Sequence, residues 1–411
     1  MSGSLSGGPG GPATPGTPRV LRAMNDRAAL DLLLEHGPLS RTRIGKLTGL
    51  SKPTASQLLA RLEAAGLVVA TGTTEGRPGP NAQLYAVNPR AAHAAGLDVN
   101  PRRIRAAVAD VTGAVVGEFE LATPGRRRQG GALADVGQAL DGALHAAGLA
   151  REDLHRVVIG TPGAFDPSTG RLRYASHLPG WHSPSLLEEL AAALPMPVEY
   201  ENDVNLVAVA EQRLGVARGH QDFVLLWNEE GLGSALVLGG RLHRGFTGGA
   251  GEVGFLPVPG APLVRHVAKA GSGGFQELAG AQVLPKLARE LGIDVPADGD
   301  YVRVAEQLLL DAAEDDSGAR ARLLDVYATG LATGLASLVA VLDPELVVLS
   351  GGVVVAGGAP LLERIRAELG ELAASRPRLV VGDVQRHPVL RGALEVALAA
   401  TRDDVFDTSA R

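Results

Sequence analysis

One short segment carries polar and basic side chains that suit contacts with DNA: Ser51, Lys52, Thr54, Ser56, Gln57 and Arg61. Hydroxyl and amide groups near the start of a helix reach the edges of base pairs, and Lys and Arg neutralise phosphates. The apolar residues in the same segment recur at i, i+3, i+4 and i+7, at Ala55, Leu58, Leu59 and Leu62. This spacing predicts a helix with an apolar stripe on one face and the DNA-contact set on the other.

The residues before this helix predict two further helices and a tight turn. Residues 24–36 have apolar positions at helical spacing, and Gly37-Pro38 ends that pattern. Ser40 is placed to cap a short helix over residues 41–49, and Ser51 is placed to cap the next one, over residues 52–66. Short helices joined by a tight turn are typical of a helix-turn-helix, although a plain three-helix bundle with a solvated polar face has the same pattern.

A predicted hairpin follows the helices. Residues 67–69 and 83–87 read as strands on either side of a Gly/Pro-rich tip that contains Arg77. A hairpin after a recognition helix is a wing, and a slim basic tip can enter a minor groove. Taken alone, Arg77 is equally well explained as a solvated loop arginine. Together with the helices, it favours DNA binding.

Charge is divided unevenly along the 411 residues. Residues 1–90 hold ten basic and five acidic residues, whereas the remainder holds 29 basic and 40 acidic residues. A basic front on an acidic body suggests a small anion-binding module joined to a larger domain. Overall, 45% hydrophobic and 20% charged residues are typical of a globular protein and exclude wholesale disorder.

Cysteine is absent from the sequence. Disulfides, thiolate zinc sites and cysteine nucleophiles are therefore excluded together. No apolar run in the sequence approaches the roughly 20 residues of a membrane span. Residues 1–18 are rich in Gly, Pro, Ser and Thr without a signal pattern, so we expect a disordered tail and a cytoplasmic protein that does not contact the membrane.

The body contains four motifs in order: VVIGTPGAFDPSTGRLRYASHLPGW (157–181), YENDVNLVAVAE (200–211), GGAGEVGF (248–255) and LDPELVVLSGG (342–352). Their order and spacing resemble those of the ROK family, which includes repressors and sugar kinases. The helix-turn-helix and the wing with GRP at its tip also resemble the front of ROK repressors. The resemblance covers roughly residues 20–400.

The resemblance implies an α/β protein, a winged helix-turn-helix followed by a two-lobed actin-like, ribonuclease-H-like ROK domain. The expected boundaries are a tail over 1–18, the winged helix over 19–90 and the ROK domain over 91–411. The first lobe would span about 91–203 together with a returning C-terminal helix over 390–404, and the second lobe about 204–389.

Sugar-binding positions are carried over from the same motifs. The resemblance assigns hydroxyl-binding roles to Asn202, Asp203, Glu252 and Glu277, and places His177 where the family usually has Asn before LPGW. Carboxylates and amides suit the dense hydroxyl array of a polyol. Alternatively, END and GGAGE are turn residues that cap helices.

Several positions depart from the family pattern. Phe255 stands where the family has a His, and the zinc cysteines would fall at Ala268, Ala270 and Phe275, so we expect no metal site. In the first phosphate turn, Pro101 has no amide to donate, and in the second Glu229 and Glu230 would repel a triphosphate. We therefore expect no catalytic residue and no cofactor.

These features support a sugar-responsive transcription regulator, which the resemblance implies is a repressor. We expect it to bind an inverted-repeat DNA operator as a homodimer or homotetramer, the usual state of ROK regulators. A sugar kinase with a DNA-binding arm is the alternative, supported by Asn202, Asp203 and Gly351-Gly352 near the expected adenosine site. A third hypothesis is a ligand-independent DNA-binding protein with a vestigial cleft.

Overall fold

The computed structural model describes residues 18–73, 82–123, 131–166, 171–173, 181, 185–265, 273–297 and 299–408. These residues form two compact units. The first contains the described residues up to His93, together with Asp110–Ala114 and the residues from Ala399 on, and the second contains Ala94–Ala109 and Val115–Leu398. The predicted tail before Pro18, the wing tip with Arg77, and His177 lie outside the described residues.

The first unit is a winged helix. Its helices are α1 (Pro18–His36), α2 (Arg41–Thr48) and α3 (Lys52–Ala64). Its antiparallel sheet has the order β1-β3-β2, formed by β1 (Leu39–Ser40), β2 (Val68–Thr73) and β3 (Gln83–Val87). The predicted caps are present, because Ser40 accepts a hydrogen bond from the backbone of Arg43 and Ser51 accepts one from Thr54.

Helix α1 begins six residues before the predicted start at residue 24. Its buried residues begin only at Asp26, so the apolar spacing marks the packed part of the helix and not its whole length. The earlier turns are exposed, with Val20, Leu21 and Met24 open to solvent. Good helix formers and Pro18 at the first helical position extend the helix without that packing.

The core of the winged helix includes residues from the far end of the chain. Val405 and Phe406, at the end of α13 (Pro388–Phe406), are buried together with side chains of α1 and α3. Phe406 lies beneath the guanidinium of Arg27 at 5.8 Å, and that guanidinium donates to Asp403 at 2.8 Å. The last turns of the chain are therefore part of the hydrophobic core of the DNA-binding unit.

The second unit contains two five-stranded sheets. The first has the order β10-β7-β4-β5-β6, with β4 (His93–Val99), β5 (Arg103–Asp110), β6 (Val115–Ala122), β7 (Leu154–Thr161) and β10 (Val198–Asn202). Its associated elements are α4 (Gly131–Ala147), the hairpin of β8 (Ala164–Asp166) and β9 (Arg171–Arg173), α5 (Leu186–Ala193) and α6 (Asp203–Arg213).

The second sheet has the order β13-β12-β11-β14-β15. Its strands are β11 (Phe223–Asn228), β12 (Leu232–Leu238), β13 (Arg241–Leu242), β14 (Leu346–Ser350) and β15 (Arg378–Val381). Its helices are α7 (Phe275–Ala279), α8 (Val283–Glu290), α9 (Tyr301–Glu314), α10 (Gly318–Leu342), α11 (Gly352–Ala356) and α12 (Gly358–Leu372). The predicted α/β class, with a winged helix before two actin-like sheets, is confirmed.

Helix α10 is long and apolar enough to cross a membrane by length and composition alone. Half of that apolar stretch is buried among its neighbours, which is the behaviour of a core helix. The ring of Phe275, which occupies one of the expected cysteine positions, is fully buried and lies directly over Gly334 of α10, where a Cβ would overlap it. Apolar packing thus holds the start of α7.

Helix α6 packs closely against elements of both sheets and brings the polar END motif to a strand end. Gly160 of β7 lies against the side chain of Leu206, and Gly392 of α13 lies so close to the Leu206 carbonyl that no Cβ would fit. Since α6 begins where β10 ends, Asn202 and Asp203 lie at the junction of the two. Such a carboxyl end of a parallel strand is a common position for ligand contacts.

The role of the C-terminal turn leads to the first prediction. Phe406→Ala should remove packing from the core of the winged helix and destabilise that unit by about 3–5 kcal/mol. Hydrogen exchange should then report faster exchange of the amides of Leu58, Leu59 and Leu62. Phe246→Ala is the matched control, because Phe246 is 90% exposed and its removal leaves no cavity. Unchanged exchange in Phe406→Ala would contradict this role.

Candidate functional site

The recognition helix α3 is held at its start by a side-chain cap. The hydroxyl of Ser51 accepts from the backbone of Thr54 at 3.4 Å, and the two hydroxyl oxygens are 2.8 Å apart. Pro53 lies in the first turn, where a missing amide costs no hydrogen bond. The cap fixes where the helix begins and therefore which residues come first on its exposed face.

The polar face of α3 is available to a partner. Lys52, Thr54 and Gln57 are exposed, whereas Ser56 is half-buried and its hydroxyl donates to the Lys52 carbonyl at 2.9 Å. The opposite face is fully packed, as the apolar spacing predicts. The structure therefore brings the predicted residues Ser51, Lys52, Thr54, Ser56, Gln57 and Arg61 onto one helix, and their contacts with DNA stay a prediction.

Arg61 has a second role that sequence reasoning missed. Its Nη2 donates to Asp26 Oδ1 at 2.7 Å, and the hydroxyl of Thr408 donates to the other oxygen at 3.1 Å. Asp26 is only 4% exposed. A signal was present, since Asp26 stands three, four and seven residues before buried Ala29, Leu30 and Leu33 and so lies in the apolar stripe of α1. A charge at such a position needs a partner.

The second unit contains a polar cleft of about 680 Å³. Strand ends and loops from both of its sheets line this cleft, together with the start of α9. Its charged and hydrogen-bonding lining residues include Asn100, Arg102, Arg103, Asn202, Asp203, Glu229, Glu230, Ser234, Glu252, Gln276, Asp300, Tyr301, Arg303 and Glu306. The volume and the polar lining suit a small polyol rather than an apolar ligand.

Asn202 and Asp203 line the cleft and also begin α6. The side-chain oxygen of Asn202 caps the helix by accepting from the backbone N–H of Asn205 at 3.0 Å. The side-chain nitrogen of Asn202 donates to the backbone carbonyl of Gly163 at 3.0 Å. Asp203 Oδ1 accepts from the backbone of Val204 at 2.8 Å. The capping role considered for END is therefore present at Asn202, and it holds Asp203 at the cleft wall.

A buried carboxylate, Glu201, connects this motif with the loop that carries Glu252. One carboxylate oxygen accepts from the side chain of Asn205 at 2.8 Å and from the backbone N–H of Asn202 at 3.0 Å. The other oxygen accepts from the guanidinium of Arg244 at 2.6 Å. The backbone of Arg244 in turn accepts from Ala250 at 3.1 Å, which closes the loop before Glu252. Sequence reasoning missed this pair because 43 residues separate its members.

The remaining predicted sugar residues differ in their positions. Glu252 lines the cleft, and Phe255 lines it in place of the family's His. Glu277 is exposed on α7, whereas the adjacent Gln276 lines the cleft, so the structure does not bring Glu277 to the other candidates. Its role stays a prediction, as does that of His177, which lies outside the described residues.

Ser234 is a further cleft residue that the motifs did not indicate. It is 3% exposed, and among the described atoms its hydroxyl has no hydrogen-bond partner. A buried hydroxyl without a partner is costly, so a ligand that contacts this wall of the cleft would gain a hydrogen bond there.

The cleft disfavours the ionised form of the carboxyl groups that line it. Burial, with smaller contributions from the carboxylates of Asp98, Glu252 and Glu229, raises the pKa of Asp203 to about 8. Burial likewise raises the pKa of Glu229 to about 7 and raises that of Glu252. Hydroxyl donors from a ligand would stabilise the ionised forms of these groups.

The end of the cleft that corresponds to the family's phosphate turns is occupied by charged side chains of the protein. The Glu229 carboxylate accepts from the backbone N–H of Gly352, the second glycine of the pair expected near adenosine. Arg102, from the turn with Pro101, forms ion pairs with Glu230 at 3.1 Å and with Asp300 at 2.6 Å. Charged side chains therefore line this end of the cleft, where the family's phosphate turns have amides and small residues.

A winged helix joined to a two-sheet sugar-kinase-like domain defines a class of protein, and comparison with known proteins identifies the family. The ROK family model matches residues 94–395, and a MarR family model matches residues 24–77. The chain belongs to the ROK family. Its combination of domains is that of ROK transcriptional regulators, which favours the predicted regulator over the kinase alternative.

The relatives include proteins named as sugar kinases and proteins named as repressors. A glucokinase of Halalkalibacterium halodurans is 29% identical over 295 residues, 68% of this chain and 86% of the relative. A xylose repressor of Caldicellulosiruptor bescii is 25% identical over 359 residues, 86% of this chain and 88% of the relative. The crystal structure of a ROK family transcriptional regulator, a homologue of the E. coli Mlc protein, has a TM-score of 0.73, covers 95% of this chain and 98% of its own, and at 19% identity shows the fold.

The raised pKa of Asp203 gives a prediction about stability. Its value is 3.8 when unperturbed and about 8 in the fold, so the folded protein binds more protons between these values and loses stability as pH rises through them. Asp203→Asn removes this loss. Its free energy of unfolding should equal that of the wild type near pH 4 and exceed it by about 2–5 kcal/mol above pH 8.

The measurement is denaturant unfolding of the second unit at several pH values. Asp294→Asn is the matched control, because Asp294 is exposed and its difference from the wild type should not vary with pH. A difference for Asp203→Asn that stays constant from pH 5 to pH 8.5 would contradict the burial of an ionisable carboxyl.

Proposed function

We propose that this protein is a DNA-binding transcription regulator, a repressor, whose ROK domain binds a sugar or sugar derivative without transferring a phosphoryl group. The observation that carries the proposal is one cleft with two different ends. Asn202, Asp203 and Glu252 line the end proposed to bind hydroxyls, whereas Glu229 and Arg102 line the end that corresponds to the family's phosphate turns. A binding domain needs the first end and has no use for the second.

DNA binding is supported by the exposed polar face of α3 on a winged helix. The proposed contacts are base edges for Thr54, Ser56 and Gln57 and phosphates for Lys52 and Arg61, with Arg77 in the minor groove. One winged helix offers few phosphate contacts, so we infer that two or four copies bind an inverted repeat. A cytoplasmic location follows from this role.

Sugar binding is supported by the two kinds of relative. One is named a glucokinase and the other a xylose repressor, so both names refer to a monosaccharide. In this chain, the carboxylates of Asp203 and Glu252 would accept from sugar hydroxyls, and Ser234 would supply a further contact. Differential affinity for two arrangements of the body would then change operator affinity.

One observation favours the kinase as a second candidate. Asp203 lies in the cleft at the position of the family's catalytic base, and a pKa of about 8 suits a group that takes a proton near neutral pH. A base without a bound nucleotide cannot transfer phosphate, so the crowded phosphate end is the reason to prefer the regulator. The two functions differ in one measurable step, ATP-dependent phosphorylation of the sugar.

The DNA-binding proposal predicts different effects at two positions of α3. Gln57→Ala should reduce discrimination between a selected operator and random DNA by about 1–3 kcal/mol, because a base contact is lost. Lys52→Gln should weaken both DNAs alike and lower the salt slope by about one. Competition gel shifts with an operator selected from a random pool provide the measurement. Unchanged discrimination in Gln57→Ala would show that this face does not read sequence.

The ligand proposal predicts a sugar-dependent and nucleotide-independent stabilisation. In a thermal-shift panel of glucose, xylose, N-acetylmannosamine and MgATP, at least one sugar should raise the melting temperature and MgATP should not. Asp203→Asn should lose the shift with sugar, while Asp294→Asn, an exposed control of the same chemistry, should keep it. Phosphorylation of a sugar by the wild type that is lost in Asp203→Asn would establish the kinase instead.

A further inference from the structure

Arg102 is held in a defined position at the mouth of the cleft. It lies in the turn between β4 and β5, where the side-chain oxygen of Asn100 accepts from the backbone amides of both Arg102 and Arg103 at 3.0 Å. Pro101 restricts the same turn. These hydrogen bonds fix the backbone of the turn that carries Arg102.

The guanidinium of Arg102 contacts two carboxylates from elements of the second sheet and its helices. Glu230 lies between β11 and β12, and Asp300 lies directly before α9. Nη1 is 2.6 Å from Asp300 Oδ2, and Nη2 is 3.1 Å from Glu230 Oε1. The hydroxyl of Tyr301 donates to the Glu230 backbone carbonyl at 2.8 Å, which fixes the turn that carries Glu230. The hydrogen bond to Asp300 raises the pKa of Arg102 and, although burial opposes it, lowers the pKa of Asp300.

The charge at this end of the cleft is negative. Four carboxylates line it, those of Glu229, Glu230, Asp300 and Glu306, against the three arginines Arg102, Arg103 and Arg303. Arg102 is already paired with two of them, so it offers little net attraction to an incoming anion. The pairs are partly exposed and contribute little to folding stability. Their consequence for ligands is larger, because they neutralise the arginine that directly follows Pro101 in the phosphate turn.

We propose that Arg102, paired with Glu230 and Asp300, is a specificity determinant that makes the cleft accept an unphosphorylated sugar and reject its phosphate ester. The inference rests on the proposed function for the identity of the ligand class. A sugar hydroxyl carries no charge and meets no barrier here. A phosphate dianion meets the carboxylates, and the cation that would bind it is neutralised.

The test frees Arg102 without removing it. In Glu230→Gln/Asp300→Asn, two negative charges are lost while shape is kept, and Asn still caps α9 at the position where Asp300 accepts from Val302. Binding of inorganic phosphate, measured by calorimetry, should become at least roughly tenfold tighter than in the wild type, as for one new charge-assisted contact. Adding Arg102→Ala to the same variant should cancel the gain.

Two controls separate this effect from simpler ones. Glu290→Gln/Asp294→Asn removes the same charge from exposed positions away from the cleft and should leave phosphate binding as in the wild type. Operator binding by every variant verifies that each chain is folded. No gain in Glu230→Gln/Asp300→Asn, or a gain that survives Arg102→Ala, would overturn the proposal.

Glucose and glucose 6-phosphate are the second pair of probes. Their binding is measured by the change in fluorescence of Trp227, which lies in the cleft wall. The wild type should bind glucose at least roughly tenfold more tightly than the ester, and the freed variant should lose that preference. Equal or tighter binding of the ester by the wild type would overturn the inference. Failure of the wild type to bind any sugar would instead count against the proposed function, since the phosphate titration decides the role of Arg102 by itself.

Discussion

The placement of α6 is the constraint on which the cleft depends. Leu206 lies against Gly160 of one strand and Gly392 of the last helix, and a larger side chain at either glycine would overlap it, so close packing positions the helix at that point. The helix begins at the end of β10, and the cap formed by Asn202 fixes its first residue. Asp203 is consequently held half-buried at the cleft wall, and the desolvation of its carboxyl group there raises its pKa.

The two ends of the cleft differ in their chemistry. Glu201 and Arg244 join the END motif to the loop of Glu252, so hydrogen bonds support the end that we propose binds hydroxyls. At the other end, Glu229 accepts from the backbone of Gly352 and Arg102 pairs with Asp300. The proposed difference from a kinase requires only this local change, because the core beneath both ends is shared.

Local sequence patterns predicted the helices and strands well. They did not indicate the charge pairs between residues far apart in the sequence. Apolar spacing and capping serines were sufficient for α2 and α3, because these signals lie within a few residues of each other. The first turns of α1 were missed, since exposed helix has no burial pattern. The partners of Arg61, Glu201 and Arg102 are 35 or more residues away, and only the folded chain brings them together. The ordered ROK motifs found the candidate sugar residues, although α7 presents Gln276 and not Glu277 to the cleft.

The central claim is that a sugar alone, without phosphoryl transfer, controls the affinity of this protein for DNA. The most direct measurement is fluorescence anisotropy of a labelled operator, titrated with the full chain at increasing sugar concentration in the absence and presence of MgATP. The account predicts a change in dissociation constant of about 5- to 150-fold with sugar, identical in both conditions. A change that requires MgATP, or an operator affinity that no sugar alters, would contradict it.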